Sequence, residues 1–418
     1  MRFPYIYGTL IRVRAAPAKE PQPTPSDCRL AIRRCRPLLD EHLERLATLP
    51  SHGNTVLRRD QLVKGLLLSF FDPLVRSLRR IADCGNFQGH LDLQKMARST
   101  TSDALAVFDP QLLVPMIDDL QRRVPHLGSV DLSLQGITRQ IIAGDGTYFT
   151  TLCDVLWALR HTRRDGSVQA QVRANFQVNI SNWVPKVVTV SGDDSHSEAA
   201  AFAKDALPGV LYVNDRGFVE FTFLHAVLDK GSDFVLRIKA NQPTMIVVED
   251  LSLSAKDVEA GVTGEQVVRL VGRDAPAGLF RLITISSTDR SGKAQTVRLL
   301  TNLPASSVPA HVVGAVYRLR WQIELFFKWL KTWANMDHLL STTRNGITTQ
   351  LYIVVIAVLT MYIQSGHRVS VYALAALSRV ARGQMSVQDA MAVIAERERE
   401  RAMDRARQAR KRARKKLA

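Results

Sequence analysis

The order of strand-like and helix-like segments between residues 138 and 241 constrains the fold of this chain more than any other feature. Three segments with alternating, β-branched residues come first, each bounded by Gly, Asn or Asp. A helix follows, with Ser195 or Ser197 as its N-cap, and then a strand, a second helix and a further strand. Hairpin-connected strands followed by strands that alternate with helices predict an α/β fold, with a mixed sheet flanked by helices.

The segments on either side of this α/β region have different compositions and predict further units. The N-terminal residues are rich in proline and poor in apolar anchors, which favours an extended, disordered arm. Helical apolar spacing comes next, and more strand-like runs separate the α/β region from the later helices. The expected units are a disordered arm (1–36), a helical N-terminal DNA-binding domain (37–130), the first part of the core (131–240), a β-strand insertion (241–305), the remaining core helices (306–375) and a C-terminal helical region with a basic tail (376–418).

The charge of the chain indicates a polyanionic partner. The formal net charge is +17 at pH 7, and the pI is about 10.1. A surface with this excess of positive charge attracts polyanions, of which nucleic acid is the commonest. A basic ribosomal protein or a membrane-surface protein would share the same charge, so this feature alone leaves those classes open.

No segment predicts export or membrane insertion. The N-terminus contains no uninterrupted apolar run of the kind found in secretory signals. The longest apolar stretch, residues 351–363, is shorter than the roughly 20 residues of a membrane-spanning helix, and we expect it to be a buried core helix. The scattered cysteines lack metal-binding spacing and are interpreted as reduced, packed thiols: Cys28, Cys35, Cys84 and Cys153.

A predicted helix at residues 311–334 carries five polar residues separated by three, four, four and three positions. This spacing places their side chains on one helix face, within an arc of roughly 80°. An acid flanked by bases on one face can also be a set of i, i+4 salt bridges on an exposed helix, and that alternative stays open. The five are Tyr317, Arg320, Glu324, Lys328 and Lys331, and the residues expected to anchor the helix in the core are Ile323, Phe326, Phe327, Trp329 and Leu330.

Two aspartates upstream stand at the ends of predicted strands. Asp145 lies in AGDGT, between glycines that leave room for a ligand or backbone to approach, and Asp215 lies in NDRGF. Either one alone could be a turn former. Together with Glu324 they predict a site for divalent cations, which prefer oxygen ligands. Two Mg²⁺ ions about 3.5 to 4 Å apart can stabilise both the attacking and the leaving oxygen in phosphoryl transfer.

At these residues the chain resembles the DDE transposases of insertion-sequence family 4. That family carries Tyr, two residues, Arg, three residues, Glu, six residues and Lys, and the same spacing joins Tyr317, Arg320, Glu324 and Lys331. The contexts GDGT and DRGF are also similar to those of the family, as is FVLRIKAN followed by strand-like runs. The resemblance covers roughly residues 37–370.

The resemblance implies a ribonuclease-H-like core interrupted by a β-strand insertion. It implies that Asp145, Asp215 and Glu324 are catalytic and hold two Mg²⁺ ions, for which Mn²⁺ can substitute. It also implies that the Tyr, Arg and Lys of the motif contact phosphates of the transposon end. The neighbouring Lys328 is expected to bind phosphate as well, as a point charge.

Other residues are weaker candidates for DNA contacts. Arg216 and Lys239 lie near strand ends and could touch phosphate. Trp321, beside Arg320, could stack on an unpaired base, although core packing is the favoured interpretation. His196 could act as a general base, but a capping or surface role is favoured because metal-bound water needs no separate base. Three N-terminal arginines could bind a DNA end or form a solvated helix face: Arg76, Arg79 and Arg80.

The expected function is therefore cut-and-paste DNA transposition. By the resemblance, the protein would cleave the ends of an insertion sequence and join the freed 3′-hydroxyl to target DNA, acting as a homodimer on paired ends. We expect a cytoplasmic, nucleoid-associated protein with no membrane partner. Two alternatives are a structure-selective nuclease with the same fold and an inactive DNA-binding relic. Excision through a DNA hairpin stays open.

Overall fold

A computed structural model describes most of the chain. The described residues are 25–50, 55–71, 77–87, 93–124, 134, 136–151, 155–162, 165–180, 184–192, 197–240, 243–288, 294–332, 336, 338–365 and isolated positions between 376 and 407. Most of the predicted N-terminal arm and most of the basic tail therefore lie outside the described residues. The first helix begins at Pro25, so the helical region starts earlier than the predicted boundary at residue 37.

Helices precede the sheet, as the apolar spacing predicted. Their buried leucines, including Leu43, Leu62 and Leu120, belong to the same apolar cluster as the first strands of the sheet. The N-terminal helices and the α/β region thus share one continuous core. The helices are α1 (Pro25–Thr48), α2 (Arg59–Phe71), α3 (Leu78–Phe87), α4 (Arg98–Val107), a 3₁₀ turn (Pro110–Leu113) and α5 (Val114–Arg123).

A ten-stranded mixed sheet forms the centre of the molecule. Its order is β2-β3-β1-β5-β6-β10-β9-β8-β7, with β4 paired to β3. The pairs β1–β5 and β5–β6 are parallel, and the other strand pairs are antiparallel. The strands are β1 (Ile141–Thr151), β2 (Leu159–Thr162), β3 (Val168–Asn179), β4 (Val184–Ser191), β5 (Leu211–Asn214), β6 (Asp233–Ile238), β7 (Met245–Asp250), β8 (Val262–Leu270), β9 (Phe280–Thr288) and β10 (Ala294–Thr301).

The predicted α/β class, with a mixed sheet flanked by helices, is confirmed. The strands β7 to β10 of the expected insertion do not form a separate sheet, because β10 pairs with β6 and extends the same sheet. Sequence patterns missed β2 and β7. Both are short strands at the two edges of the sheet, and their residues are mostly exposed, so neither shows the burial alternation of a half-buried strand.

Helices cover both faces of the sheet. On one face, α6 (Glu198–Lys204) and α7 (Phe221–Asp229) pack on Ile142, Tyr212 and Leu236. Ser197 caps α6 by accepting a hydrogen bond from the Ala200 amide, as one of the two predicted N-caps. The opposite face carries α9 (Ala310–Leu319), α10 (Trp321–Thr332) and α11 (Arg344–Ser365), while the short α8 (Ala255–Glu259) precedes β8.

The prediction of a single helix at residues 311–334 is wrong, because the structure has two helices that meet at Arg320. The Arg320 amide donates to the Tyr317 carbonyl at 3.1 Å, and the Ile323 amide donates to the Arg320 carbonyl at 3.0 Å. Both bonds span three residues instead of four, which tightens the chain locally into a 3₁₀-like turn. The polar stripe is therefore distributed over two helices.

The apolar helix α11 is the one described helix that is long and apolar enough to cross a membrane. However, 83% of its apolar window is buried within the protein. It packs against α2, α4 and α5 and against β4. The prediction of a buried core helix at residues 351–363 is confirmed.

Candidate active site

Strand alternation directs the two aspartates to the same face of the sheet. Ala143 in β1 and Val213 in β5 are buried on the face covered by α9 and α10. Side chains two residues apart along a strand point to the same side. Asp145 and Asp215, each two residues further along, therefore face the helices that carry Tyr317 and Glu324.

Each aspartate also interacts with the backbone that follows it. One carboxylate oxygen of Asp145 accepts the Gly146 amide at 2.8 Å, and one of Asp215 accepts the Arg216 amide at 2.9 Å. Asp215 thereby caps a short 3₁₀ turn, Arg216–Phe218. The turn-forming role considered for such aspartates is thus present, and it leaves the second oxygen of each carboxylate for other partners.

The guanidinium of Arg320 lies among all three predicted acids. Its Nη1 atom is 3.4 Å from Asp145 Oδ2 and 3.3 Å from Glu324 Oε1. Its Nη2 atom is 4.0 Å from Asp215 Oδ2. The Tyr317 hydroxyl donates to the other Asp215 oxygen at 3.4 Å. Three acids that are remote in sequence are thus brought around one positive group.

Burial and mutual repulsion perturb the titration of this cluster. Burial raises the pKa of Asp145 to about 6, and the nearby charges of Glu324 and Asp215 act in the same direction. The Gly146 amide and the Arg320 guanidinium oppose this shift but do not cancel it. A carboxyl with so high a pKa is a feature of functional sites more often than of surface ion pairs.

The basic and phenolic groups are perturbed as well. Burial, followed by the charge of Asp215, raises the pKa of Tyr317. For Arg320, burial alone would lower the pKa, but Tyr317 and the surrounding carboxylates outweigh that effect and raise it. Arg320 is therefore charged at any ordinary pH, and it partly neutralises the acids.

The chemistry of this cluster suits a hard divalent cation, but the acids are not gathered into a direct ligand set. Carboxylate oxygens are the ligands that Mg²⁺ and Mn²⁺ prefer. Among the described residues, no three His, Cys, Asp or Glu side chains lie close enough together to hold a metal ion. The Arg320 guanidinium occupies the space between the carboxylates and interacts with each of them, as a cation would. The donor types therefore fit a hard cation, whereas the guanidinium fills the space between the carboxylates.

The rest of the α10 stripe is less uniform than its spacing suggested. Lys328 is exposed. Lys331 is half-buried, with its Nζ 5.8 Å from the centre of the Phe149 ring, which is itself buried in β1. The anchoring role predicted for Ile323, Phe326, Phe327 and Leu330 is confirmed by their burial, and the side chain of Trp329 lies outside the described residues.

The favoured interpretation of Trp321 as a core residue is wrong, because 56% of its surface is exposed. Trp321 is the first residue of α10, directly after the turn at Arg320. At about 100° per residue it lies far around the helix from the buried Ile323 and Phe327. Its ring is therefore accessible to a partner, which leaves base stacking as the surviving alternative.

The two weaker phosphate candidates, Arg216 and Lys239, are both exposed at the carboxyl ends of β5 and β6. Sequence reasoning missed Arg237, which lies in β6 two residues before Lys239. Its side chain hydrogen-bonds to Tyr317 and lowers the pKa of that phenol against the stronger effect of burial. The available signal was the alternation of β6, which places Arg237 on the same face as the buried Val235.

The glycines beside Asp145 make space for side chains of α6 on the opposite face of the sheet, and not for a ligand. A Cβ on Gly144 would overlap the ring of Phe202, and one on Gly146 would overlap the carboxylate of Glu198. Both of these side chains belong to α6. The two glycines do leave room for a close approach, but side chains of α6 make that approach instead of a ligand or backbone.

Some predicted contacts lie outside this cluster or outside the described residues. His196 and Arg76 lie outside the described residues. Arg79 and Arg80 are exposed on α3, which agrees with either a DNA contact or a solvated face.

Known proteins match the same part of the chain. The family described as "Transposase DDE domain" matches residues 137–360, more than half of the chain. This match includes all three acids and the helices α9 and α10.

Three relatives are similar in sequence. A protein of Sinorhizobium fredii named as transposase y4zB is 30% identical over 152 residues, 36% of this chain and 41% of the relative. A protein of Geobacillus stearothermophilus named as a transposase for insertion sequence element IS5377 is 26% identical over 203 residues, 48% of this chain and 50% of the relative. A protein of Synechocystis sp. named as a transposase for insertion sequence element IS4SA is 28% identical over 324 residues, 75% of this chain and 84% of the relative. The matched part thus spans half or less of the first two relatives and most of the third.

Proposed function

Since the chain belongs to the family of the Transposase DDE domain, we propose that it is the transposase of an insertion sequence. In this proposal it cleaves the DNA ends of the element and joins the freed 3′-hydroxyl to target DNA. The observation that carries the proposal is the cluster of Asp145, Asp215 and Glu324 around the Arg320 guanidinium. The relatives named for IS5377 and IS4SA support an insertion sequence as the source of the substrate.

Asp145, Asp215 and Glu324 would hold two divalent cations, Mg²⁺ or in its place Mn²⁺. When bound, these ions supply charge stabilisation for the attacking and leaving oxygens of an in-line phosphoryl transfer. The three acids would contribute rigid oxygen ligands. Asp145 lies within β1 and not at the strand end that the sequence suggested, because β1 continues to Thr151. Asp215 directly follows β5, and Glu324 lies on a helix anchored by buried aromatic residues. The burial that raises the pKa of Asp145 would be offset by the positive charge of the ions.

Arg320 would exchange partners when DNA is bound. Its planar guanidinium suits a phosphate as well as it suits a carboxylate, and it can hold either with two hydrogen bonds. In the DNA-bound state Arg320 would instead hold a backbone phosphate next to the cleaved bond. Tyr317 would donate its hydroxyl to a neighbouring phosphate, and the nearby Arg237 would add positive charge.

The exposed groups around the cluster would extend the DNA contact. Trp321 would stack on an unpaired base at the element end, since aromatic side chains recognise extruded or single-stranded bases in this way. We assign sequence-independent phosphate contacts to basic residues of α10 and of the carboxyl ends of β5 and β6: Lys328, Lys331, Arg216 and Lys239.

We further propose that the protein belongs to insertion-sequence family 4 and acts as a homodimer on paired DNA ends. The helical residues 37–130 would bind these ends. Support for family 4 comes from the Tyr317, Arg320, Glu324 and Lys331 spacing and from the relative named for IS4SA. The net charge of +17 supports binding of DNA in the bacterial nucleoid. The boundaries expected for the core, the insertion (241–305) and the tail (376–418) belong to the same proposal.

A cleavage assay tests this proposal. The substrate is a labelled DNA duplex from the terminal inverted repeat that flanks the gene, incubated with Mg²⁺ and the full chain. We expect cleavage by the wild type and a loss of at least about 1,000-fold for Glu324→Gln, by analogy with removal of one essential group from a catalytic constellation. Glu249→Gln, on the exposed edge strand β7, is the matched control and should cleave normally.

Three outcomes distinguish the alternatives. Equal cleavage by the wild type and Glu324→Gln would exclude the assigned site. Cleavage without joining to an added target duplex would indicate a structure-selective nuclease. Binding without cleavage by the wild type would indicate a DNA-binding relic.

A further inference from the structure

Asn214 connects the two strands that carry the aspartates. Its side chain is fully buried, and its Oδ1 atom accepts the backbone amide of Gly144 at 2.9 Å. Gly144 directly precedes Asp145, and Asn214 directly precedes Asp215. One hydrogen bond therefore ties together the residues immediately before the two acids.

This bond lies where the backbone pairing of the two strands ends. The parallel ladder between β1 and β5 joins Ile141–Ala143 to Leu211–Val213 and extends no further. The amide of Gly144 is the next group along β1, and it is buried. The carboxamide of Asn214 supplies the acceptor that the ladder no longer provides, so the strands stay linked up to the positions of the acids.

A second polar contact supports the same region from the same face of the sheet. The carboxylate of Glu198 in α6 lies against Gly146, and it lies 3.3 Å from the position that a Cβ on Gly217 would occupy. These glycines come one residue after Asp145 and two residues after Asp215. Arg173 in β3 holds Glu198 by an ion pair.

The contacts of Asn214 and Glu198 lie on the face opposite to the acids. Gly144 contacts Phe202 of α6, whereas Asp145 faces α9 and α10. The two contacts therefore lie outside the space between the carboxylates, which the Arg320 guanidinium occupies, and they hold the backbone of both aspartates from the opposite face of the sheet. We refer to Asn214, Glu198 and Arg173 as the rear support.

We propose that the rear support, with Asn214 as its central member, is a positioning device that fixes the separation of the Asp145 and Asp215 carboxylates for cation binding. This inference rests on the proposed function, because it assumes that the two aspartates share cations. Groups that orient metal ligands from behind typically change metal affinity or activity by about 10- to 100-fold when they are replaced. An effect of that size is expected for loss of the Asn214 bond.

The test measures Mn²⁺ binding to the full-length protein by titration calorimetry, without DNA. Asn214→Leu keeps the size of the side chain but removes the acceptor, and its Mn²⁺ dissociation constant should rise about 10-fold or more. Asn214→Asp keeps an acceptor oxygen at the same reach, and its affinity should be close to that of the wild type or higher. Glu198→Gln is a second variant of nearly unchanged size, and it should also weaken Mn²⁺ binding.

Asn302 provides a matched control. Its Oδ1 atom accepts the Phe234 amide at 2.8 Å, near the start of β6 and away from the acids. Asn302→Leu removes the same kind of bond, together with the hydrogen bonds that Nδ2 donates to Ser232 and Asp233, so it should lower the melting temperature without changing Mn²⁺ affinity. This comparison separates positioning of the acids from a general loss of stability.

The outcomes keep the two proposals distinct. If the wild type binds Mn²⁺ and cleaves DNA, but Asn214→Leu and Glu198→Gln bind Mn²⁺ as tightly as the wild type, the positioning role is overturned and the proposed function stands. If Asn302→Leu weakens Mn²⁺ binding as much as Asn214→Leu does, the effect is general and the positioning role is again overturned. If the wild type neither binds Mn²⁺ nor cleaves, both proposals fail.

Discussion

Replacement of Asp145 by asparagine should stabilise the metal-free protein while it abolishes cleavage. Asp145 is largely buried, and burial raises its pKa from the ordinary 3.8 to about 6. Above pH 6 the folded protein must keep an ionised carboxylate in a site that favours the neutral form. Asparagine has nearly the same shape as the neutral acid and carries no charge, so it removes that cost.

The magnitude follows from the shift of the pKa. A difference of about two units between the folded and unfolded states corresponds to about 3 kcal/mol, at about 1.4 kcal/mol per unit. Because the folded-state pKa of Asp145 is raised, this group contributes most to stability below the unfolded pKa of 3.8. That contribution is lost as the pH rises through about 6. Asp145→Asn should thus be about 3 kcal/mol more stable than the wild type at pH 8 and nearly equal to it near pH 4.

Chemical unfolding in EDTA, at several pH values between 4 and 8, measures this difference directly. Distant titrating groups affect both proteins alike, so the difference between their free energies of unfolding reports Asp145 together with its coupling to the neighbouring charges of the cluster. Addition of Mg²⁺ or Mn²⁺ should favour the wild type, because a cation that binds only the folded, ionised site stabilises it. Glu249→Gln again serves as the control and should show no pH-dependent difference.

A difference in unfolding free energy that is constant from pH 4 to pH 8 would contradict this expectation. A variant Asp145→Asn that is less stable than the wild type at pH 8 would contradict it as well. Either result would mean that Arg320 compensates the Asp145 carboxylate more fully than its 3.4 Å contact indicates.

Three further predictions concern the support of the site and the binding of DNA. Phe176 is fully buried and packs edge-on against Phe326 and Phe327 of the helix that carries Glu324. Phe176→Ala should lower the free energy of unfolding by about 3–5 kcal/mol and should also reduce cleavage, because the helix is held less firmly. Unchanged cleavage by a folded variant would contradict this. Arg281 forms a buried ion pair with Glu265, and its side chain is only 7% exposed. Arg281→Met should therefore lower the free energy of unfolding in urea by about 3–5 kcal/mol. A loss below roughly 1 kcal/mol, the value of a surface ion pair, would show that the pair is hydrated. The exposed Lys328 is expected to contact phosphate, so Lys328→Ala should weaken binding of every DNA sequence alike. The slope of log affinity against log salt concentration should decrease in magnitude by about 1 in a filter-binding or anisotropy titration. An unchanged slope would mean that Lys328 does not contact phosphate.

The sequence alone predicted the features that depend on local spacing. The alternation of apolar residues located the central strands, and the helical period located Glu324 on a helix anchored by Ile323 and Phe326. The type of each side chain also limited the chemistry, since three acids beside basic residues favour hard cations and phosphate. These inferences held because periodicity and residue type are properties of short segments.

Other features depended on contacts between distant segments. The turn at Arg320 divided one expected helix into two and exposed Trp321, although the local pattern favoured core packing. The edge strands β2 and β7 lacked the alternation that buried strands show. No local pattern could indicate that α6 would fill the space beside Gly144 and Gly146.

The sequence determined which acids, bases and aromatic residues are available and on which face of a strand or helix each one lies. Only the tertiary structure decided that Arg320 lies among Asp145, Asp215 and Glu324, and that Asn214 ties the two aspartate strands together. The physical reason is the order of the strands. The adjacency of β1 and β5, and the packing of α9 and α10 on the same face of the sheet, are set by burial of apolar surface summed over the whole core. No single segment encodes that sum.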